Sequence, residues 1–183
     1  MLIRVPELEL RKLEFNEDFQ PGAIELGFDL RQVGPLHADG RAELVVEHRG
    51  HRNNVEDIRL LGSLRGDVET NCARCLDPVR HHLERGFDLL YRPLGVDRIA
   101  DEVAISEADT EIGYYDGEGL LLEDALREQV LLATPLKMLC REDCRGLCPQ
   151  CGRNRNVEMC DCEQHPSDPR WEALSEIKKK LQS

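Results

Sequence analysis

Apolar residues fall on alternate positions in several short stretches of the first hundred residues. Ala42, Leu44 and Val46 share one face of segment 41–47, Val79, His81 and Leu83 one face of 79–83, and Phe87, Leu89 and Tyr91 one face of 87–91. A period of two marks half-buried strands, so residues 1–98 are expected to be mainly β. Gly40, Gly50, Gly62, Gly66 and Gly86 punctuate this region as turn or bulge candidates. The pattern predicts a hairpin from Val79 to Tyr91, bent at Glu84-Arg85-Gly86. It also predicts antiparallel pairing, since no helical crossover separates the strands.

Residues 93–119 are acidic and contain glycine, which predicts an exposed connection with one short strand near 102–105. The period then changes. Leu122, Leu126, Val130 and Ala133 recur at helical spacing and predict an amphipathic helix over 121–133 that packs on the sheet. Glu123 and Asp124 suit its first turn and Pro135 ends it. A last helix is predicted over 169–181, with Asp168 as cap, Pro169 at the first position and an apolar stripe of Trp171, Leu174, Ile177 and Leu181.

Composition narrows the picture. Apolar residues make up 40% of the 183 and aromatics only 4%, so the core must be built mainly from aliphatic side chains. The first ten residues are broken by Arg4, Glu7 and Glu9, unlike a signal peptide. No run approaches the roughly 18 apolar residues a bilayer demands. A soluble cytoplasmic protein with no membrane association is expected. The net charge of −12 is unevenly placed: residues 1–136 carry −13 and residues 137–183 carry +1. An acidic body disfavours wrapping of nucleic acid and leaves a local contact by the tail open. The expected organisation is an acidic β-rich body over 1–136 and a cysteine-rich module with a terminal helix over 137–183.

The eight cysteines form four pairs: Cys72 and Cys75, Cys140 and Cys144, Cys148 and Cys151, Cys160 and Cys162. In a reducing compartment such clusters point to metal more than to disulfides. Structural zinc sites are commonly closed sets of four thiolates, and eight cysteines make two ions possible. Pro149 and Gly152 shape the tight turn around Cys148 and Cys151. One arrangement joins Cys148, Cys151, Cys160 and Cys162 across loop 152–159, leaving Cys72, Cys75, Cys140 and Cys144 for the second ion. The competing arrangement puts Cys140, Cys144, Cys148 and Cys151 on one ion. His81, His82 and His165 are weaker ligand candidates. Iron takes second place to zinc, because spacing alone does not separate the two. A thiol–disulfide redox pair would need a cysteine at a helix N-terminus, and Cys72 follows a strand-like stretch instead. The chain has no HExxH motif and no nucleophile elbow. The stretch Gly113 to Gly119 lacks the Lys-Ser/Thr end of a phosphate loop. A protein that is not an enzyme and takes no small-molecule substrate is expected.

Cys72-Ala-Arg-Cys75-Leu76-Asp77-Pro78, the helix ending Arg127-Glu128-Gln129 before Pro135, and Leu139-Cys140 through Cys151-Gly152 to Cys160-Asp161-Cys162 together resemble the YceD family. Asp168-Pro169-Arg170 and Leu174 fit the same pattern. The resemblance implies a bacterial cytoplasmic ribosome-biogenesis factor that supports accumulation of large-subunit ribosomal RNA. Its partner would be the precursor large subunit, through its RNA, a basic ribosomal protein, or both. It implies no catalytic residue, and zinc that shapes the fold. Arg145, Arg153 and Arg155 in the cysteine module are the candidate RNA contacts, joined by Lys178, Lys179 and Lys180 in the last turn of the terminal helix. The alternative is a zinc-ribbon adaptor, or a carrier of a basic ribosomal protein, without direct RNA binding. The expected fold class is α+β: an antiparallel β-rich body with one packed helix, then a small zinc-ribbon-like module and a C-terminal helix.

Overall fold

The computed structural model describes residues 1–27, 29–48, 54–96 and 112–162. The strand expected near 102–105, the helix expected over 169–181, His165 and Lys178 to Lys180 lie outside the described residues. The chain divides into two units, Met1–Asn71 with Pro78–Met138, and Cys72–Asp77 with Leu139–Ser183.

The fold is α+β and rich in strand. In the first unit, β1 (Leu2–Arg4) leads into the short helix α1 (Val5–Leu10). Then follow β2 (Leu13–Phe19), β3 (Arg31–His48), β4 (Asn54–Asn71), β5 (Pro78–Pro93), β6 (Ile112–Tyr115), β7 (Gly119–Leu121) and helix α2 (Leu122–Ala133). Strands β2 to β6 form one sheet in chain order, and β1 pairs with β7.

Alternation decides which face of the sheet is the core. On β4, Ile58, Leu60, Leu64 and Val68 are buried, with Gly62 and Gly66 completing the same face. On β3 the matching positions are Leu36, Ala38, Gly40 and Ala42. Helix α2 joins that core through Leu122, Ala125, Leu126 and Val130. Its face is the one expected from the spacing. Hydroxyl Oγ1 of Thr134 donates to the Val130 carbonyl at 2.7 Å where the helix ends.

Two expectations are corrected. Residues 78–93 are one strand, with no hairpin at Glu84-Arg85-Gly86. Ser63 opposes Gly86 and Gly62 opposes Phe87 in an unbroken antiparallel ladder with β4. The glycine sits in the strand and makes no turn. The strands of residues 1–98 pair antiparallel as expected, but beyond them β6 runs parallel to β5, with Leu90 opposite Ile112 and Pro93 opposite Tyr115. The stretch read as an exposed connection therefore contributes an edge strand to the sheet. Among the described residues, no helix is long and apolar enough to cross a membrane.

Candidate metal centres

Two chain segments supply the second unit, and the same local turn appears in both. Cys72-Ala73-Arg74-Cys75 curls so that the Leu76 N–H reaches the Cys72 carbonyl at 3.0 Å. Cys148-Pro149-Gln150-Cys151 does the same, with the Gly152 N–H on the Cys148 carbonyl at 2.9 Å. The residue after each second cysteine is left-handed, at φ 63° for Leu76 and 72° for Gly152. Glycine adopts this conformation freely, whereas leucine is strained in it.

These turns bring the eight sulfurs into two sets. Cys72, Cys75, Cys140 and Cys144 converge in one and Cys148, Cys151, Cys160 and Cys162 in the other, with all sulfurs of a set within 4.8 Å of one another. This is the geometry of the first arrangement set out above. In the first set Cys72 Sγ lies 3.8 Å from Cys144 Sγ, and Cys75 Sγ lies 3.5 Å from Cys140 Sγ. A tetrahedral ion with metal–sulfur bonds of about 2.3 Å needs sulfur–sulfur edges of about 3.8 Å. The donor set and spacing fit such an ion, and four thiolates would close its coordination. Each tetrad can hold a metal ion. His81 and His82 are on β5 in the first unit, where His82 Nδ1 meets Asp67 Oδ1 at 2.8 Å.

Backbone and amide donors surround the sulfurs. The Cys140 N–H points at Cys72 Sγ at 3.4 Å, and Asn156 Nδ2 donates to Cys144 Sγ at 3.3 Å. At Cys72, burial pushes the thiol up, but the N–H groups of Arg74, Cys140 and Cys75 prevail and bring it down to about 6. The N–H groups of Cys151 and Gln150 likewise bring Cys148 down to about 6. Burial also opposes ionisation of Cys144, yet the Asn156 amide and the Gly146 N–H leave it lowered. The partners move the other way. The Asp77 N–H favours the Cys75 thiolate, but burial and the contacts with the Asp77 carboxylate, Cys72 and Cys140 keep its proton on. Burial raises Cys140. Contact with Cys148 raises Cys160, and contact with Cys151 followed by burial raises Cys162 to about 12. Each tetrad thus contains at least one thiol poised to ionise beside two that hold their protons until a cation displaces them.

Loop 152–159 connects ligands of the second set and also braces the first. Residues 146–148 and 153–155 pair through Leu147 opposite Asn154, with Cys148 N–H on the Arg153 carbonyl at 2.8 Å and Arg155 N–H on the Gly146 carbonyl at 2.9 Å. Asn154 Nδ2 donates to Asp77 Oδ2 at 3.1 Å, tying this loop to the turn that carries Cys72 and Cys75. Arg74 Nη1 donates to the carbonyls of Glu142 and Cys144 at 3.1 and 2.9 Å. Gly146 is left-handed at φ 71°, and a Cβ there would stand 2.9 Å from the Arg74 carbonyl oxygen. Asp77, Arg74, Asn154 and Asn156 were missed by reasoning from cysteine spacing. The signal present is the Asn-Arg-Asn run, since asparagine side chains bond nearby backbone in turns. Arg145 and Arg153 are exposed and Arg155 is half-buried. Arg153 pairs with Glu158 at 4.0 Å.

Several known proteins are similar to this chain in sequence. An uncharacterized protein of Mycobacterium tuberculosis is 34% identical over 125 residues, covering 67% of this chain. The chain spans 56% of the length of that relative. Uncharacterized protein YlbN of Bacillus subtilis is 23% identical over 180 residues, 97% of this chain and 95% of its own length. A protein of Arabidopsis thaliana named as the chloroplastic large ribosomal RNA subunit accumulation protein YCED homolog 1 is 23% identical over 146 residues, 68% of this chain and 46% of its own length. No solved structure matches the chain. The family model described as large ribosomal RNA subunit accumulation protein YceD matches residues 60–178, a stretch holding all eight cysteines, and the chain belongs to that family.

Proposed function

We propose that this chain is a non-enzymatic cytoplasmic factor in biogenesis of the large ribosomal subunit, and that it holds two structural zinc ions. The two convergent thiolate tetrads carry this reading, in a chain whose family is described by ribosomal RNA accumulation. Four thiolates saturate a tetrahedral ion and leave no open position for substrate, so the metal shapes the protein and performs no chemistry. Zinc suits this role because it has no redox chemistry of its own.

Contact with precursor RNA is assigned to the second unit on grounds of charge. The first unit holds the whole net charge of −12 and repels phosphate, while the second is neutral overall with basic loops. Arg145, Arg153 and Arg155 project from segments that the ions hold in place, which limits the ordering cost of binding. Replacing all three by Glu is expected to leave zinc content and folding unchanged, because none is a ligand. Association with precursor large subunits should weaken, and each lost phosphate contact should flatten the salt dependence by about one unit of slope. Binding and complementation equal to wild type would refute the RNA contact. The acidity of the first unit favours a second reading, in which the protein carries a basic ribosomal protein and touches no RNA.

A further inference from the structure

The carboxylates of the first unit are not all alike. Several on the strands are matched by cations: Glu43 meets Lys12 at 2.6 Å, Glu69 meets Arg31 at 2.7 Å and Asp88 meets Arg59 at 2.7 Å, while others such as Glu17 and Glu84 stand singly among the described residues. Around one groove the unmatched ones gather. This groove, of about 760 Å³, lies among β6, β7, α2 and the start of β1. Asp116, Asp124 and Glu128 line it, and among the described residues none of them has a cationic partner within 4.0 Å. Among the described residues, Arg127 is the one cation in the lining. Tyr91 lines the groove and its hydroxyl donates to Glu128 Oε2 at 3.3 Å. Burial, then Glu128 and Asp124, push its phenol well above the ordinary tyrosine range.

The same groove gathers exposed apolar surface. Leu2, Tyr114, Leu121 and Leu131 line it and are each 40–50% exposed. Leu132, 67% exposed, lines an adjoining depression that shares Tyr91 and Glu128. Solvated carboxylates are ordinary surface, and so are scattered leucines. Aliphatic and tyrosine side chains framed by unmatched carboxylates form a surface of a particular chemistry.

We propose that this groove binds a lysine- or arginine-rich protein segment that carries aliphatic anchors. The anchors fill the Leu2, Leu121 and Leu131 surface, and the cationic side chains meet Asp116, Asp124 and Glu128. Phosphate is repelled there, so the groove selects a basic protein segment over RNA. This gives the carrier reading a surface and is independent of the RNA contact assigned to the metal module.

The test uses the full chain with zinc and a fluorescein-labelled 12-residue peptide alternating Lys with Leu. Two control peptides have Glu for Lys, or Ser for Leu. The variant is Asp116→Asn with Asp124→Asn and Glu128→Gln, whose amides keep the acceptors used by the Gly117 N–H and the Tyr91 hydroxyl. A charge-matched control carries Glu9→Gln, Glu17→Gln and Glu84→Gln, away from the groove. The groove variant is expected to weaken the Lys/Leu peptide at least tenfold and flatten its salt dependence, while the control stays within twofold of wild type. Leu131→Ser should weaken the peptide without changing the salt slope. The inference is overturned if both triple variants lose binding equally, if the Lys/Ser peptide binds as well as Lys/Leu, or if an RNA oligonucleotide displaces the peptide. Arg145→Glu with Arg153→Glu and Arg155→Glu should leave peptide binding intact, so failure of the RNA contact and failure of the groove are separately visible.

Discussion

Asn156 uses both ends of its amide in the metal module. Its Nδ2 donates to Cys144 Sγ at 3.3 Å, and its Oδ1 accepts from the Arg145 N–H at 2.8 Å. A thiolate bound to a cation gains from such a donor, and loss of an outer-shell partner typically costs about 10–100-fold in metal affinity. Asn156→Asp keeps the acceptor for Arg145 and sets a carboxylate oxygen against the sulfur. The tetrad of Cys72, Cys75, Cys140 and Cys144 should lose affinity by about 10–100-fold, while the other tetrad keeps its ion. Competition against a chromophoric chelator measures this, and two ions held as in wild type would refute it. The cysteine pairs and Gly152 were legible as residue types tied to a chemistry. Leu76 was not, because its φ of 63° carries no glycine to announce it. Neither was Asn156, whose contribution depends on a sulfur 12 residues away.

The misread hairpin shows how an element can hide its identity. Gly86 lies between two alternating stretches, where a turn and an in-strand glycine look the same in sequence. Register across the sheet separates them. Phe15 opposes Gly40, Gly40 opposes Gly62 and Gly62 opposes Phe87, so two glycines cross the sheet flanked by two phenylalanines. The rings lie over the glycines: a Cβ at Gly40 would stand 2.7 Å from Phe15 Cζ, and one at Gly62 would stand 2.9 Å from Phe87 Cζ. The backbone is closer still, with the Asp39 carbonyl oxygen 2.3 Å from a Cβ at Gly62. The glycines thus serve close approach inside long strands, and aromatic side chains cover what they leave bare. Gly62→Ala should cost about 1–3 kcal/mol of stability in the first unit through overpacking. Urea unfolding with an unchanged midpoint would refute it. Helix α2 was legible because twelve residues carry a full amphipathic period. The four residues of β6 carry too little pattern to reveal a parallel edge strand.

At the scale of the whole chain the two units are stabilised by different means. The first has an aliphatic and aromatic core that includes Ile58, Leu60, Leu64, Leu122 and Leu126. Among the described residues of the second, the buried apolar side chains are Cys72, Cys75, Cys144 and Cys148. A unit buried around its own ligands takes its folding free energy from the ion. Removing metal should therefore unfold the second unit and leave the first folded. After chelation, trypsin should cut at Arg74, Arg141, Arg145, Arg153 and Arg155, while the β-sheet signal in far-ultraviolet circular dichroism persists. Loss of that signal together with the metal would show that one ion-dependent unit had been mistaken for two. The sign of the pH dependence follows from the thiols that stay protonated without metal. Cys75 and Cys140 in one tetrad, and Cys160 and Cys162 in the other, are all raised, so they still carry protons near neutral pH. Binding must expel at least those two protons at each site. Protons compete with the ion, so affinity and the stability of the second unit should fall together as pH drops from about 7 to about 5. The first unit owes nothing to these thiols and should not follow. Calorimetric titration with zinc in two buffers of different ionisation enthalpy counts the protons. Fewer than two released per ion near neutral pH would mean that the tetrads are already ionised before the metal arrives.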